Sequence, residues 1–321
     1  ITAVPTLTVT STALGNEICT GDAITFFANA SVAGADYDFM VNGVSYQNGA
    51  GQTFDPAAYA LTIGNGDIIE VTASTGVASC SSVTTSITVL TNAITTVGTI
   101  TVATPTVCLN DVIPAMTGGA AVASGTISYQ WQRRDQTTTV FTDITGATSQ
   151  NYTPTATTFL TTDTFFRRRT ISNTGTTTCE AFSNVIDVRV DNPPAAILTS
   201  NINGVTLTAA ATATICAGEE VAFYANTVTG GSYTFLVDGI IVRPRADSNV
   251  YTTTALLAGE AVTVEVFDQN TAAAPAGCSD VSDAINILIT AVPTLTVTST
   301  ALGNEICEGD AITFFANASI A

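Results

Sequence analysis

A long internal repeat is the feature that most constrains how this chain can fold. Residues 1–33 recur as residues 289–321, an offset of 288 residues. Only two of the 33 aligned positions differ, Thr20 against Glu308 and Val32 against Ile320. Near-identity over such a distance indicates a long genetic period within a larger array. The chain is then either a fragment of that array or one subunit's worth of a continuous filament.

Cysteine spacing and a weaker repeat divide each period into three. Residues 18–29 resemble residues 215–226, whereas the segment between them that opens at Thr106 has a different sequence. The cysteines that open successive segments are spaced by 89, 108 and 91 residues, and they are Cys19, Cys108, Cys216 and Cys307. A chain of this length holds two or three domains with buried cores. We predict domains at 1–94, 95–192 and 193–290, with 291–321 as the truncated start of a copy of the first.

The composition favours strands over helices. Threonine supplies 60 of the 321 residues, and β-branched side chains fit strands better than helices. Apolar and polar residues alternate along runs such as 24–29, and Asn42-Gly43 between two such runs is typical of a type I′ hairpin turn. Further strands are predicted at 6–10, 67–72 and 86–91. About seven short strands per domain predict an all-β chain of tandem immunoglobulin-like β-sandwiches, with fibronectin-like sandwiches as alternatives.

The charged residues exclude several kinds of function. The chain has 26 acidic and eight basic residues, all eight are arginine, and histidine is absent, giving a net charge of −18. Without His or Lys there is no imidazole base, Schiff-base amine or P-loop lysine. Strong acidity also argues against nucleic acid or anionic lipid as a partner. We therefore expect a protein that is not an enzyme.

No targeting or membrane segment is apparent in the sequence. The first twelve residues have neither the charged segment nor the apolar segment of a signal peptide. No run of about 18 apolar residues predicts a membrane span. We expect any export signal or surface anchor to lie outside these residues.

Seven cysteines suggest one disulfide in each domain. The pairs expected from proximity along the chain are Cys19 with Cys80, Cys108 with Cys179, and Cys216 with Cys278. Cys307 copies Cys19 and is expected to be unpaired within these residues. Metal-binding or catalytic thiols are the alternative, but the chain has no C-x-x-C spacing and no His to complete a zinc site. Structural disulfides imply an oxidising compartment, and hence an exported protein.

The second domain contains the most recognisable sequence. Its motifs are Tyr129-Gln-Trp-Gln132, Ile144-Thr-Gly-Ala-Thr148, Phe165-Phe-Arg-Arg-Arg169 and Cys179-Glu-Ala-Phe-Ser-Asn-Val185. Together they resemble the Ig-like repeats of giant Bacteroidota cell-surface adhesins. That family includes adhesins exported by type IX secretion, among them gliding-motility adhesins that form surface filaments. The resemblance covers nearly all of the second domain and implies an extracellular repeat filament without catalytic residues.

Arginines concentrate in the second domain. The three predicted domains carry net charges of −7, −1 and −7, and residues 291–321 carry −3. One interpretation is a face that binds an acidic polysaccharide or a neighbouring acidic domain through bidentate contacts. The other is a solvated strand face whose Arg stems cover aromatic rings. The residues of this candidate ligand or interdomain face are Tyr129, Trp131, Arg133, Arg134, Arg167 and Arg169.

Two other kinds of site have weaker support. Calcium could stiffen acidic tandem domains through carboxylates, but the chain has no D-x-D-x-D-G loop. Paired carboxylates for glycoside hydrolysis are disfavoured because Glu219 and Glu220 are adjacent and would point to opposite faces of a strand. No resident cofactor is therefore expected, with calcium as the one option.

The sequence thus predicts a structural and adhesive shaft of an extracellular bacterial surface filament, whose partners are neighbouring repeats of the same filament. The alternative is an array of carbohydrate-binding modules in which Trp131, Tyr129 and the arginines contact a surface polysaccharide. A buried Trp131 would exclude stacking on a sugar, whereas an exposed one would favour it. A domain accessory to an enzyme would need a catalytic region elsewhere in the gene.

Overall fold

The computed structural model describes residues 6–75, 82–155, 159–202, 204–208, 210–268 and 277–319. The chain forms two compact units, residues 1–105 with 112–189 and residues 106–111 with 190–321. Apart from strands, the described regular structure consists of short 3-10 turns at Leu14–Asn16, Pro56–Tyr59 and Leu302–Asn304. The all-β prediction is therefore confirmed. The domain boundaries at residues 95 and 193 stay a prediction.

The first part of the first unit is a sandwich of short antiparallel strands. One sheet has the order β1-β3-β6, another has the order β5-β4-β7-β8, and β2 runs parallel to β9. The strands are β1 (Leu7–Ser11), β2 (Glu17–Cys19), β3 (Phe26–Ala30), β4 (Asp36–Val41), β5 (Val44–Gly49), β6 (Thr53–Phe54), β7 (Ile68–Ser74), β8 (Val83–Thr88) and β9 (Leu90–Asn92).

Alternation along these strands produces the core of this sandwich. In β4 and β7 every second residue is buried, so each strand presents one face to the interior. Phe26, Phe39 and Phe54 come from three strands, are all fully buried, and pack as stacked rings with centroids 5.4 to 6.2 Å apart. Burial of such apolar area is the main source of stability for a sandwich of this size.

The predicted hairpin at Asn42-Gly43 is confirmed. The two residues link β4 to β5, with backbone φ of 52° at Asn42 and 79° at Gly43. A type I′ turn requires positive φ at both positions, which Asn and Gly adopt at low cost. The turn is also held from the side, because the Asn42 amide donates to Asp67 Oδ1 at 2.8 Å.

The second part of the first unit is built around two ten-residue strands, β15 and β17, which pair along their whole length. The sheet order is β19-β17-β15-β16, with β18 also pairing with β17. Its strands are β10 (Ile94–Thr96), β11 (Ile100–Val102), β13 (Met116–Gly118), β14 (Val122–Ala123), β15 (Thr126–Asp135), β16 (Thr142–Asp143), β17 (Thr164–Asn173), β18 (Thr178–Phe182) and β19 (Ile186–Asp191).

The second unit repeats the design of the first sandwich. One sheet has the order β21-β20-β23-β26 and the other β22-β29-β27-β24-β25, with β28 pairing with β27. Its strands are β12 (Thr106–Cys108), β20 (Leu198–Ile202), β21 (Val205–Thr208), β22 (Thr212–Cys216), β23 (Val221–Ala225), β24 (Gly231–Val237), β25 (Ile240–Ala246), β26 (Val250–Thr253), β27 (Ala261–Asp268), β28 (Cys278–Val281), β29 (Ile285–Thr290), β30 (Leu295–Ser299) and β31 (Phe314–Ala318).

The core of this unit matches that of the first sandwich. Phe223, Phe235 and Val264 are fully buried in one contiguous apolar cluster. As β2 runs parallel to β9, so β22 runs parallel to β29. Two packed sheets of mainly antiparallel strands, with one parallel pair at the edge, occur in both units and make the chain a tandem of immunoglobulin-like β-sandwiches.

The repeated sequence folds into a repeated hairpin. β30 pairs with β31 in the same register as β1 with β3, each partner shifted by 288 residues. Phe314, the counterpart of the fully buried Phe26, is 66% exposed. Phe26 packs against Phe54 of β6, and residues 289–321 contain no copy of Phe54.

Two disulfides join cysteines of different predicted domains. Cys19 bonds to Cys179 and Cys108 bonds to Cys278, each with a Cα–Cα distance of 5.6 Å. The expected pairing within each domain is therefore wrong for these four residues. Among the described residues, Cys216 and Cys307 have no disulfide partner. Cys80 lies outside the described residues.

Strand direction explains why a domain's own two cysteines do not meet. In the second unit, Cys216 is the last residue of β22 and lies beside Thr290 of β29. Because β29 pairs with the first residues of β27 and then runs on beyond them, Cys216 lies at the end of the sheet where β27 begins. Cys278 instead pairs with Asp268, at the opposite end of β27. Seven residues of strand separate the two ends by about 23 Å, whereas a disulfide needs Cα atoms within about 7 Å.

Buried polar contacts surround the first of these disulfides. Asn92, at the end of β9, is buried, and its amide nitrogen donates to Ser172 O at 2.9 Å and to Thr177 O at 3.0 Å. Its amide oxygen accepts from Ser172 Oγ at 2.6 Å. Thr174 and Thr177 also donate to Glu17, at 2.8 and 3.0 Å. The turn between β17 and β18 is thus hydrogen-bonded to the end of the first sandwich.

Replacing Asn92 tests this junction. We expect Asn92→Ala to lower the free energy of unfolding of the first unit by about 2 to 3 kcal/mol, because it leaves buried partners unpaired. Urea unfolding followed by the fluorescence of Trp131, the only tryptophan, measures the effect. Asn29→Ala, at an exposed position, is the control and should change stability by less than about 0.5 kcal/mol. Equal effects of the two substitutions would contradict the assignment.

Candidate functional site

Trp131 lies in the core and not on the surface. It is fully buried, its ring packs against Tyr152 at 5.7 Å, and its indole Nε1 donates to Ser149 O at 3.0 Å. A ring in this position has no face open to a ligand. The hypothesis that Trp131 stacks on a sugar is therefore wrong.

Tyr129 is half-buried next to the same core. Its hydroxyl accepts a hydrogen bond from the backbone N–H of Ala121 at 3.3 Å. Its ring lies 4.2 Å from the guanidinium of Arg168. Tyr129 thus packs against a buried cation on one side and is held by the backbone at its tip, as expected for a structural residue.

Arginine and phenylalanine side chains alternate on the other face of this sheet. The guanidinium of Arg134 lies 3.9 Å from the ring of Phe165 and 5.3 Å from that of Phe141. The guanidinium of Arg167 lies 4.2 Å from Phe141 and 3.8 Å from Phe182. The five residues form a continuous stack, which we call the arginine–phenylalanine ladder. Each cation–π contact at such a site contributes about 0.5 to 1 kcal/mol.

Polar bonds link this ladder to its own domain. Arg167 Nε donates to Gln132 Oε1 at 2.7 Å, and Gln132 in turn donates to Asp143 Oδ1 at 2.7 Å. Arg169 forms ion pairs with Asp143 at 3.1 Å and Glu180 at 3.2 Å. Partial burial lowers the pKa of Arg167, and the positive charge of Arg169 lowers it further. Three of the predicted arginines, in β15 and β17, thus already have partners within the second predicted domain.

Arg133 differs from the other predicted residues because it is exposed. It lines two shallow surface depressions of about 730 and 690 Å³, the first shared with Arg134 and the second with Asp143 and Tyr152. The six predicted residues therefore do not form one ligand surface. Arg134 and Arg167 belong to the ladder, whereas Arg169 pairs with acidic residues and Tyr129, Trp131 and Arg133 lie elsewhere.

Arg168 is a structural residue that the candidate face predicted from the sequence did not include. It is fully buried, with no carboxylate among its described partners, and its guanidinium donates to three backbone carbonyls. The acceptors are Gln150 O at 2.8 Å, Val97 O at 2.8 Å and Gly119 O at 2.6 Å. Burial lowers the pKa of Arg168, and Tyr129 partly opposes this effect. Since arginine stays charged in proteins, the three carbonyls compensate a buried cation.

Glycines make room for this guanidinium. A Cβ at Gly98 would lie 2.6 Å from Arg168 Nη2, and one at Gly118 would clash with Nη1. Two-residue periodicity in β17 could have revealed the position, because Phe166, Arg168 and Thr170 all face inward. Arg168 thus connects three separate loops and strands to β17.

The described part of the chain offers no metal centre. Within it, no three Cys, Asp or Glu side chains are grouped closely enough to hold an ion. In the same residues, no helix is long and apolar enough to cross a membrane.

Comparisons with known proteins identify one region of the chain. A family described as "Domain of unknown function (DUF8696)" matches residues 96–192. No curated protein sequence matches the chain.

Solved structures similar to the chain are tandem arrays of domains. An I-band fragment of titin, I67-I69, is 8% identical with a TM-score of 0.38, covering 90% of this chain and 100% of titin's fragment. Three N-terminal domains of the outer capsid protein Hoc of bacteriophage RB49 are 9% identical with a TM-score of 0.31, covering 89% and 99%. The insect immune protein hemolin is 11% identical with a TM-score of 0.30, covering 91% and 78%.

Substitution of Arg168 tests its structural role. We expect Arg168→Gln to destabilise the first unit by about 3 kcal/mol or more, because it leaves buried carbonyls without donors. Chemical denaturation followed by Trp131 fluorescence measures the change. Arg189→Gln removes an arginine whose side chain is 70% exposed and should cost less than about 0.5 kcal/mol.

If Arg168→Gln prevents folding, Arg168→Lys serves instead. Lysine keeps the charge but lacks the planar fork that reaches three acceptors, so we expect a smaller but measurable loss. Wild-type stability in both Arg168 variants would show that the carbonyl contacts contribute nothing.

Proposed function

We propose that this chain is a segment of the non-enzymatic, structural and adhesive shaft of an extracellular bacterial surface filament. The shaft consists of tandem immunoglobulin-like sandwiches with a period of 288 residues. Each period holds three domains, at residues 1–94, 95–192 and 193–290 of this chain, and residues 291–321 begin the next. Its principal partners are neighbouring repeats of the same filament.

The observation that carries this proposal is the pair of disulfides between predicted domains. Cys19 and Cys179 are 160 residues apart, and Cys108 and Cys278 are 170 residues apart. A load along the chain that pulls one domain from the next is thus opposed by a covalent bond besides the backbone. Such bonds suit a shaft under tension, where flexible linkers alone would let domains separate.

The repeated hairpin supports the continuation of the array. Leu295, Val297 and Phe314 of β30 and β31 are each more than 60% exposed. In the first copy, the counterpart of Phe314 is Phe26, which packs against Phe54, and Phe54 packs in turn against Phe39. A soluble protein rarely exposes such an apolar surface, so the residues that bury it in the first copy would bury it again in the next.

An extracellular site is supported by the disulfides, since these persist in oxidising environments. The motifs of the second domain resemble repeats of giant Bacteroidota surface adhesins, which include gliding-motility adhesins exported by type IX secretion. The family match at residues 96–192 coincides with this domain. We propose the same surface location and export route for this chain.

The absence of lysine and histidine supports a non-enzymatic role, because it removes the usual general bases. The arginine–phenylalanine ladder fits this role as a reinforcement of the sheet. Its two cations, Arg134 and Arg167, are engaged by phenylalanine rings, and Arg167 also by Gln132. Because Trp131 is buried, adhesion by this chain would use surfaces other than a sugar platform on Trp131.

Deleting one period of the gene tests the shaft role. Residues 289–321 repeat the start of the chain, so removal of residues 1–288 leaves a junction of native sequence. We expect filaments on the cell surface to be displayed normally and to be shorter by one fixed increment in electron micrographs. Deleting two periods should double the increment. Filaments of unchanged length, or loss of display, would contradict the proposal.

A further inference from the structure

Cys216 occupies the position that forms a disulfide in the other two predicted domains. It is the last residue of β22, lies beside Thr290 of β29, and is exposed. No disulfide partner for it lies among the described residues. An exposed thiol in an oxidising compartment calls for a partner or a reason to remain reduced.

The local structure at Cys216 matches that at the two bonded cysteines. The acidic residue three positions later donates its backbone N–H to the cysteine carbonyl, at 3.0 Å for Cys19, 2.9 Å for Cys108 and 3.1 Å for Cys216. The acid side chain in turn accepts from the cysteine N–H at 3.1 Å in Cys108 and 2.8 Å in Cys216. The same turn therefore presents each of the three thiols.

The three cysteines also lie beside the same strand end. The residue after each one donates its N–H to the carbonyl of the residue that ends the last strand of the sandwich. These carbonyls belong to Asn92, Asp191 and Thr290, and the N···O distances are 3.4, 2.9 and 3.3 Å respectively. Each thiol is thus held at the end of its domain where the chain leaves for the next.

In both bonded cases the partner is the hairpin cysteine of the next predicted domain. Cys179 lies in β18, opposite Ser172 of β17, and Cys278 lies in β28, opposite Asp268 of β27. Each lies in the second strand of an antiparallel pair, within the first two residues of that strand. The direction is the same both times: a strand-end cysteine bonds forward along the chain.

We infer that Cys216 forms a disulfide with the second cysteine, in sequence order, of a following copy of the first domain, so that every junction in the array is cross-linked. This inference rests on the proposed function, since it requires a following copy. Residues 289–321 begin such a copy directly after the third domain. The partner in that copy is the counterpart of Cys80, which lies in sequence between β7 and β8. By the same rule, Cys307 repeats Cys19 and bonds one domain further on.

The bond forms by thiol–disulfide exchange. The two thiols lose two protons and two electrons as the sulfur–sulfur bond forms, and the disulfide of an exported oxidoreductase is reduced to two thiols. Three such bonds per period use all six of its cysteines.

Disulfide mapping of the exported full-length protein tests the inference. Exposed thiols are first blocked, and the protein is digested with pepsin at acid pH, where thiol–disulfide exchange is slow. We expect mass spectrometry to find the Cys216 peptide linked to the Cys80 peptide. A Cys216 peptide that is blocked, or linked to Cys278 or to a second Cys216, would overturn the inference.

A serine variant checks the direction of the bond. Cys216→Ser in one copy should expose one thiol in the Cys80 peptide of the following copy, where the wild type has none. Cys19→Ser is the matched control and should expose Cys179 instead. A new thiol at Cys278 after Cys216→Ser would overturn the inference.

The mass of the intact, reduced protein separates this inference from the proposed function. A mass that includes several periods, with Cys216 found blocked, would leave the array standing and remove only the bond. A mass without a further copy of the first domain would overturn both.

Discussion

A disulfide between a strand-end cysteine and a strand of the next predicted domain ties each sandwich to the one that follows it. Loops of 160 and 170 residues are closed by Cys19–Cys179 and Cys108–Cys278. In the chain-entropy model, closing one such loop stabilises the folded state by about 5 kcal/mol. That is comparable to the whole stability of a small domain. Successive sandwiches are thereby stabilised together and not one at a time.

Buried polar groups specify how the bonded parts fit in the first unit. Asn92 satisfies two carbonyls and a hydroxyl at the junction next to the Cys19–Cys179 bond. Arg168 does the same within the second predicted domain, where its charge is balanced by carbonyls and the Tyr129 ring. An unpaired polar group in either place would be costly, so each contact selects one arrangement of the strands around it.

Local features of the sequence predicted the strands and one turn. The contacts between residues far apart in sequence, above all the disulfide pairs, could not be predicted. Alternating side chains gave the strands, and Asn42-Gly43 gave a turn with two positive φ values, because both signals depend on neighbouring residues. Cysteine spacing could not show that Cys216 and Cys278 lie at opposite ends of β27, since that depends on strand direction. The candidate arginine face was only partly predicted: the ladder is there, but Trp131 and Arg168 face the core.

Covalent bonds cross the boundary between predicted domains, and a single backbone cleavage tests for them. A protease site placed at the exposed residues 103–105 lets the backbone be cut between Cys19 and Cys179. On a denaturing gel without reductant, we expect the two fragments to stay joined at the mass of the whole chain and to separate only after reduction. Fragments that separate without reductant would contradict it, because bonds within each domain would not hold them together.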